Sequence, residues 1–139
     1  ELKEKKDRVE DSIHAVKATI KEGIVPGGGI ALLDAAKKVK IGSEAELILL
    51  KAIEAPYKTI LKNAGIVHNT VNPVEFNDTR KKGHGINVVT GKEVNMIKSG
   101  IIDPVLVTKK ALVNAVSVAT TIISADCIIS NIRDYESNQ

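Results

Sequence analysis

The stretch VPGGGIALLDAA, from Val25 to Ala36, places three consecutive glycines between a proline and an apolar segment. Each glycine loses more backbone freedom on folding than alanine, at a cost of roughly 0.5–1 kcal/mol. Two explanations are open. Either the glycines make a tight turn between two helices, or they let the backbone approach a ligand where helix-end N–H groups suit an anion. The stretch has no GxxxxGK[ST] pattern and follows no predicted strand, which argues against a Walker-type loop and a Rossmann site.

The composition predicts one ordinary domain with a helical core. The chain has 139 residues, 43% hydrophobic but only 2% aromatic, so aliphatic side chains must fill the core. The net charge of +3 is spread over interleaved acids and bases, so we expect no nucleic acid as a partner. The single cysteine, Cys127, allows no internal disulfide and fits a reducing compartment. No uninterrupted apolar run reaches membrane-spanning length, so no membrane partner is expected either.

Periodicity predicts helices through the first half of the chain. Residues 1–22 form one helix that ends at Gly23, with an apolar stripe of Val9, Ile13, Val16 and Ile20. A second helix runs from about residue 29 to 39.

A third helix is expected to begin at a capping box in which Ser43 is the cap and Glu46 reaches back. Pro56 kinks or divides this helix after Ala55, and Gly65 ends it. Its predicted buried side consists of Leu47, Leu50, Ile53, Tyr57, Ile60 and Leu61.

The second half begins with a predicted loop over residues 68–84, followed by a small hairpin over residues 86–94 that turns at residues 90–92. Asp103 is predicted to be the N-cap of a helix with Pro104 at its first position. That helix, to about residue 124, is apolar almost all round, which is typical of a helix buried in a large domain or at a subunit contact.

Few side chains suggest chemistry by themselves. Asp11 lies on a polar helix face, where it is solvated or orients a water or metal for phosphoryl transfer. Capping by itself explains Asp103. The three histidines show no metal-ligand spacing, and Cys127 has no candidate base beside it in the sequence.

Four stretches resemble the C-terminal part of a group I chaperonin, the GroEL type. They are KEKKDRVEDSIHAVKATIKEGIVPGGGIALL (3–33), EAPYKTILKNAG (54–65), GINVVTGKEVNMIKSGIIDP (85–104) and ALVNAVSVATTIISADCII (111–129). They occur in the family's order and at similar separations. The resemblance implies a mainly α fold with a small β-hairpin. Residues 1–22 correspond to the end of the intermediate domain, and residues 23–139 to the C-terminal part of the equatorial, ATP-binding and ring-forming domain.

The resemblance also implies roles for particular residues. Asp11 matches the catalytic aspartate that prepares water for attack on the ATP γ-phosphate, and it swings over the nucleotide when a hinge closes. Gly28, with Gly27 beside it, matches the glycine whose backbone packs against the nucleotide. Asn87 and Val88 match the pair that contacts adenine, and Asp103 matches the acid that binds the ribose hydroxyls.

The implied cofactor is ATP or ADP with Mg²⁺. In this family a phosphate-binding DGTTT loop, the metal-binding acid and the apical domain precede this region, and none of them is in this sequence. No metal ligand is therefore expected here. We expect the chain to be a fragment that provides about half of an ATP site and does not hydrolyse ATP alone, although the parent chain is a chaperonin ATPase.

Three departures from the family pattern are visible. Pro26 replaces the usual alanine before the glycines, Val88 and Val89 replace smaller alanines, and NIRDYESNQ (131–139) replaces a Gly/Met-rich tail.

For the parent, the resemblance implies heptameric rings, a co-chaperonin lid, unfolded client proteins and a bacterial cytoplasm or, failing that, an organelle matrix. The alternative function is a helical assembly module that binds no nucleotide.

Overall fold

The computed structural model describes residues 1–66, 80–127 and 129. The helices in these residues are α1 (Leu2–Glu22), α2 (Ile30–Ala36), α3 (Glu44–Ile53), α4 (Ala55–Asn63) and α5 (Val105–Ile123). The strands are β1 (Ile24–Pro26), β2 (His84–Asn87), β3 (Lys92–Asn95) and β4 (Ile102–Pro104). The chain divides into two compact units, Glu1–Val107 and Thr108–Gln139. The prediction of a mainly α chain with small β elements is confirmed.

Helix α1 occupies the predicted residues and ends at Gly23. This glycine has φ +83°, and its N–H donates to the carbonyl of Thr19 at 2.7 Å. Left-handed backbone at a helix end favours glycine because no Cβ clashes there. The apolar stripe of α1 is exposed, however, and Ala18 is the buried residue of this helix. Nothing in the described part of the chain covers the stripe.

The glycine turn joins strand β1 to helix α2, so it is not the turn directly between two helices that is one of the two explanations left open by the sequence. Gly28 and Gly29 have φ of +65° and +81°, a conformation that L-residues rarely adopt. Helix α2 then buries Ile30 and Leu33 completely. The turn therefore aims the first apolar residues of α2 at the core.

Helices α3 and α4 form as the sequence predicts. The Ser43 hydroxyl accepts the Glu46 N–H at 3.3 Å, and the Glu46 carboxylate accepts the Ser43 N–H at 3.0 Å, which completes the capping box. The helices separate at Glu54, with Pro56 in the first turn of α4, where its missing N–H costs nothing.

The predicted buried side of these two helices is partly correct. Leu50, Tyr57 and Leu61 are buried and Leu47 and Ile53 are partly buried. Ile60 is exposed, contrary to the prediction.

Strands β2 and β3 form the predicted hairpin. His84 pairs with Asn95 and Asn87 with Lys92, and Gly91 turns the chain with φ +67°. The predicted loop before the hairpin falls mainly on residues 67–79, which lie outside the described residues. His84, at its predicted end, is instead the first residue of β2.

A second sheet, which the sequence analysis missed, pairs β1 with β4 antiparallel. Ile24 pairs with Pro104, Val25 with Asp103 and Pro26 with Ile102. Prolines lack an N–H and fit only the ends and edges of sheets, and here both stand at strand ends. The prediction that Asp103 is an N-cap and Pro104 the first helical residue is wrong. Both belong to β4, because strand pairing holds them extended until α5 begins at Val105.

Helix α5 has the predicted length but no buried residue. The expected burial is therefore not found within the described residues. By length and composition alone, α5 is long and apolar enough to cross a membrane. It is the one helix in the described residues that meets these two criteria. A helix that packs inside a larger soluble assembly also meets those criteria.

The core of the first unit lies between α2, α4 and the hairpin. Its buried members are Ile30, Leu33, Tyr57, Leu61 and Met96. Ile66, Ile86, Val94 and Ile101 pack against them. The glycine turn, β4 and the hairpin therefore all border the same small core.

Candidate functional site

Each glycine of the turn lies against another segment of the protein. An ideal Cβ on Gly27 would lie 3.1 Å from the backbone of Ile101 and Ile102, and one on Gly29 would lie 2.9 Å from the backbone of Tyr57. One on Gly28 would lie 3.1 Å from the terminal methyl of Met96. Close packing therefore accounts for Gly27 and Gly29, because neither backbone neighbour has room for a methyl group.

The backbone hydrogen bonds distinguish Gly27 from Gly28. The Gly27 N–H donates to the Ile101 carbonyl at 2.9 Å, and its carbonyl accepts from Ile30 at 3.3 Å. The N–H and C=O of Gly28 make no hydrogen bond to any residue that the structure describes. Gly28 is half-buried, so its N–H suits a ligand, as does the N–H of Gly29, which is half-buried as well and donates to no residue that the structure describes.

Asp103 lies next to this turn because of the β1–β4 pairing. It is half-buried on β4, opposite Val25. Within the described residues its carboxylate accepts no hydrogen bond and forms no ion pair. A carboxylate can accept hydrogen bonds from two hydroxyl groups at once, as binding of a ribose diol requires.

Asn87 and Val88 are at the end of a hairpin whose base packs on the core next to the glycine turn. An ideal Cβ on Gly85 would lie only 2.7 Å from the Ile30 side chain, so this strand lies directly on the first turn of α2. Asn87 is two residues further along β2, on the same face and about 7 Å away. Its Oδ1 accepts the Val89 N–H at 3.0 Å, which holds the turn of the hairpin. Val88 is partly exposed and Val89 almost fully exposed.

Asp11 lies on α1, outside the glycine turn and both sheets. It is exposed in the middle of α1, 12 residues before Gly23. At 1.5 Å per residue, that is about 18 Å along the helix. The structure thus places Gly27, Gly28 and Asp103 on or next to the paired strands β1 and β4, and Asn87 and Val88 at the far end of the hairpin whose base packs on α2, while Asp11 is on the surface.

Sequence reasoning missed Asp34 and Arg80, a buried pair that connects α2 to the start of β2. The signal was a single acid inside the apolar run IALLDAA. It also missed Met96, which is buried against Gly28 and Gly85.

The groups at these positions are of the kinds that contact a nucleotide. Gly28 offers an N–H, Asp103 a carboxylate, and Val88 an apolar contact for a base. Residues 1–66, 80–127 and 129 hold no group of three or more His, Cys, Asp or Glu side chains that could bind a metal ion. We therefore assign no ligand to Mg²⁺ in this part of the chain.

Comparison with known protein families gives a match over residues 1–133 to the TCP-1/cpn60 chaperonin family. The match covers nearly the whole chain, including every predicted site residue. The resemblance seen in the sequence is confirmed at the level of this family.

Proposed function

The chain belongs to the TCP-1/cpn60 chaperonin family, and from this premise we propose that it is the C-terminal part of a group I chaperonin subunit and provides one side of its ATP site. Family membership indicates a chaperone that assembles into oligomers and acts on client proteins. The group I assignment rests on the four stretches that resemble the GroEL type.

The observation that carries the nucleotide proposal is the half-buried Asp103 carboxylate, without a protein partner among the described residues, on the strand that pairs with β1 just before the glycine turn. In the proposed site Asp103 accepts hydrogen bonds from the two ribose hydroxyls, and Gly28 donates to a phosphate oxygen. Val88 packs on the base while Asn87 contacts its edge. ATP, when bound, supplies the free energy that drives the folding cycle.

Asp11 is proposed as the residue that orients the attacking water and accepts its proton. Its exposed position supports a role that requires movement, because α1 has to carry it toward the nucleotide. Gly23 is the proposed hinge. It lies between α1 and β1, and a Cβ there would meet nothing within 4 Å.

Partners and compartment are proposals as well. The exposed apolar faces of α1 and α5 support packing in an assembly, which we propose is a heptameric ring that works with a co-chaperonin lid. The single Cys127 supports a reducing compartment, the bacterial cytoplasm or an organelle matrix.

The alternative is a helical assembly module that binds no nucleotide. It is supported by Gly27 and Gly29, because close packing within the protein is enough to explain why these two residues are glycines. Calorimetric titration of the complete subunit with ATP separates the two functions. Saturable ATP binding, together with ATP-dependent refolding of a denatured client, is expected. A subunit that assembles but shows no heat of ATP binding would establish the alternative.

A further inference from the structure

Asp34 is a charged residue in a place where packing alone would favour an apolar one. It lies on the core-facing side of α2 with only 9% of its surface exposed. A buried carboxylate costs free energy unless charged and hydrogen-bonding partners compensate for it. Its partners therefore indicate what it contributes.

These partners lie at the start of β2, far away in the sequence. The Asp34 Oδ2 accepts the Gly83 N–H at 2.7 Å, and its Oδ1 lies 3.7 Å from Nη2 of Arg80. Nη1 of Arg80 in turn donates to the His84 carbonyl at 2.7 Å. The pair thus binds two backbone groups where β2 begins, the N–H of Gly83 and the carbonyl of His84.

Arg80 also connects this point to α4. Its guanidinium lies over the Tyr57 ring, 5.9 Å from the centroid, and the backbone of Tyr57 packs against Gly29. A planar guanidinium can stack on an aromatic face and donate in its own plane at the same time. The pair therefore lies where α2, α4 and β2 meet, beside the glycine turn.

The hairpin has a second attachment one strand position further on. Gly85 packs on Ile30 and Met96, and the Met96 N–H donates to Gly83 at 2.9 Å. One apolar contact leaves a hairpin able to rock about that contact, whereas two attachments along the strand define its direction. Asn87 follows only two residues after Gly85.

We propose that Asp34 and Arg80 are positioning residues for nucleotide-base recognition. By fixing the start of β2 they hold Asn87 and Val88 in line with the glycine turn. This inference rests on the proposed function, because it assumes that the hairpin contacts the base.

The test compares two isosteric substitutions of buried carboxylates in the complete subunit. Asp34→Asn keeps an acceptor for the Gly83 N–H but removes the charge that faces Arg80. The control is Glu54→Gln, since Glu54 is 2% exposed and paired with Lys58 on α4, and forms no hydrogen bond or ion pair with β2. Arg80→Lys is a milder second variant, which keeps the charge without the planar fork.

Two ligands are compared, ATP and ribose 5-triphosphate, which lacks the base. The comparison distinguishes a misplaced hairpin, which affects only binding of the base, from general damage to the site, which affects both ligands. For Asp34→Asn we expect the Kd of ATP to rise about tenfold and that of ribose 5-triphosphate to stay unchanged. Arg80→Lys should show a smaller change in the same direction, and Glu54→Gln should affect neither ligand. If Asp34→Asn and Arg80→Lys weaken the binding of both ligands to the same extent, or weaken the binding of neither, the inference is overturned.

Hydrogen exchange over residues 84–95 tests the hairpin without nucleotide. Asp34→Asn should raise exchange there about tenfold and Glu54→Gln should not. If the unmodified subunit binds no ATP, the proposed function fails. The exchange result then decides whether Asp34 holds the hairpin, and equal exchange in both variants overturns that as well.

Discussion

Val25 and Asp103 face each other across the antiparallel pair of β1 and β4. Two residues after Val25 the chain enters the glycine turn, and two residues after Asp103 it enters α5. One short sheet thus joins the phosphate side of the proposed site to its ribose side. Because Asp103 is held by strand pairing and not by capping, its carboxylate is available to a ligand.

Asp103→Asn in the complete subunit should weaken ATP binding at least tenfold, because charge-assisted hydrogen bonds contribute roughly 1.5–3 kcal/mol. Stability should change by less than about 0.5 kcal/mol, since the carboxylate has no partner in the described structure. Calorimetry measures the Kd and a thermal melt without nucleotide measures the Tm. Asp126→Asn, an exposed carboxyl to amide change after α5, is the matched control. Equal affinity in the two variants would contradict the ribose assignment.

Gly28→Ala should both destabilise the turn and weaken ATP binding. Left-handed backbone costs an L-residue roughly 1–2 kcal/mol, and the new methyl would press on Met96. Gly65→Ala is the control, because Gly65 has φ +70° but nothing within 4 Å of an ideal Cβ. We expect Gly28→Ala to lower the Tm at least as much as Gly65→Ala does, and only Gly28→Ala to weaken ATP binding. If affinity falls equally in both variants, Gly28 has no special contact with the nucleotide.

Asp11→Ala should abolish most ATP hydrolysis by the complete subunit while leaving ATP affinity nearly intact, because the proposed role is confined to the chemical step. Single-turnover rates and equilibrium binding measure the two effects separately. Asp7→Ala serves as control, because Asp7 is one turn earlier on the same helix and is also exposed. A variant that loses binding as strongly as rate would make Asp11 a structural residue.

The 139-residue chain by itself should release no phosphate from ATP above background. Phosphoryl transfer needs a metal to neutralise developing charge, and no metal-binding group exists in the described residues. A coupled phosphate assay on the purified chain, with and without Mg²⁺, provides the measurement. Mg²⁺-dependent turnover that persists through repurification would refute this prediction.

Ser43→Ala should cost about 1 kcal/mol of stability and leave ATP affinity unchanged. It removes the side-chain acceptor for the Glu46 N–H at the start of α3, away from the glycine turn. Chemical denaturation gives the free energy of unfolding. Ser99→Ala controls for loss of a hydroxyl, and equal stability of the two variants would show that the capping box contributes nothing.

Local chemistry let the sequence alone predict most of the helices and the hairpin. The capping box at Ser43, the break near Pro56, the stop at Gly23 and the turn at Gly91 depend on a few neighbouring residues. Caps, breaks and turns of this kind can be predicted from neighbouring residues without knowing which distant residues they contact. The family, too, could be identified from four stretches of sequence, because their order and spacing extend over nearly the whole chain.

Tertiary structure alone decided which distant residues meet. Strands β1 and β4 have three residues each, too few for an alternation pattern, and each contains a proline, so only their pairing makes them strands. That pairing removed Asp103 from the helix cap predicted for it and set it beside the glycine turn. In the same way, Asp34 is a single acid in an apolar helix when the sequence is considered alone. Its partners Gly83 and Arg80 follow it by 49 and 46 residues, so only the fold shows that they meet. Local sequence carries the conformation of a segment, whereas the contacts that assemble a site depend on the packing of segments far apart along the chain.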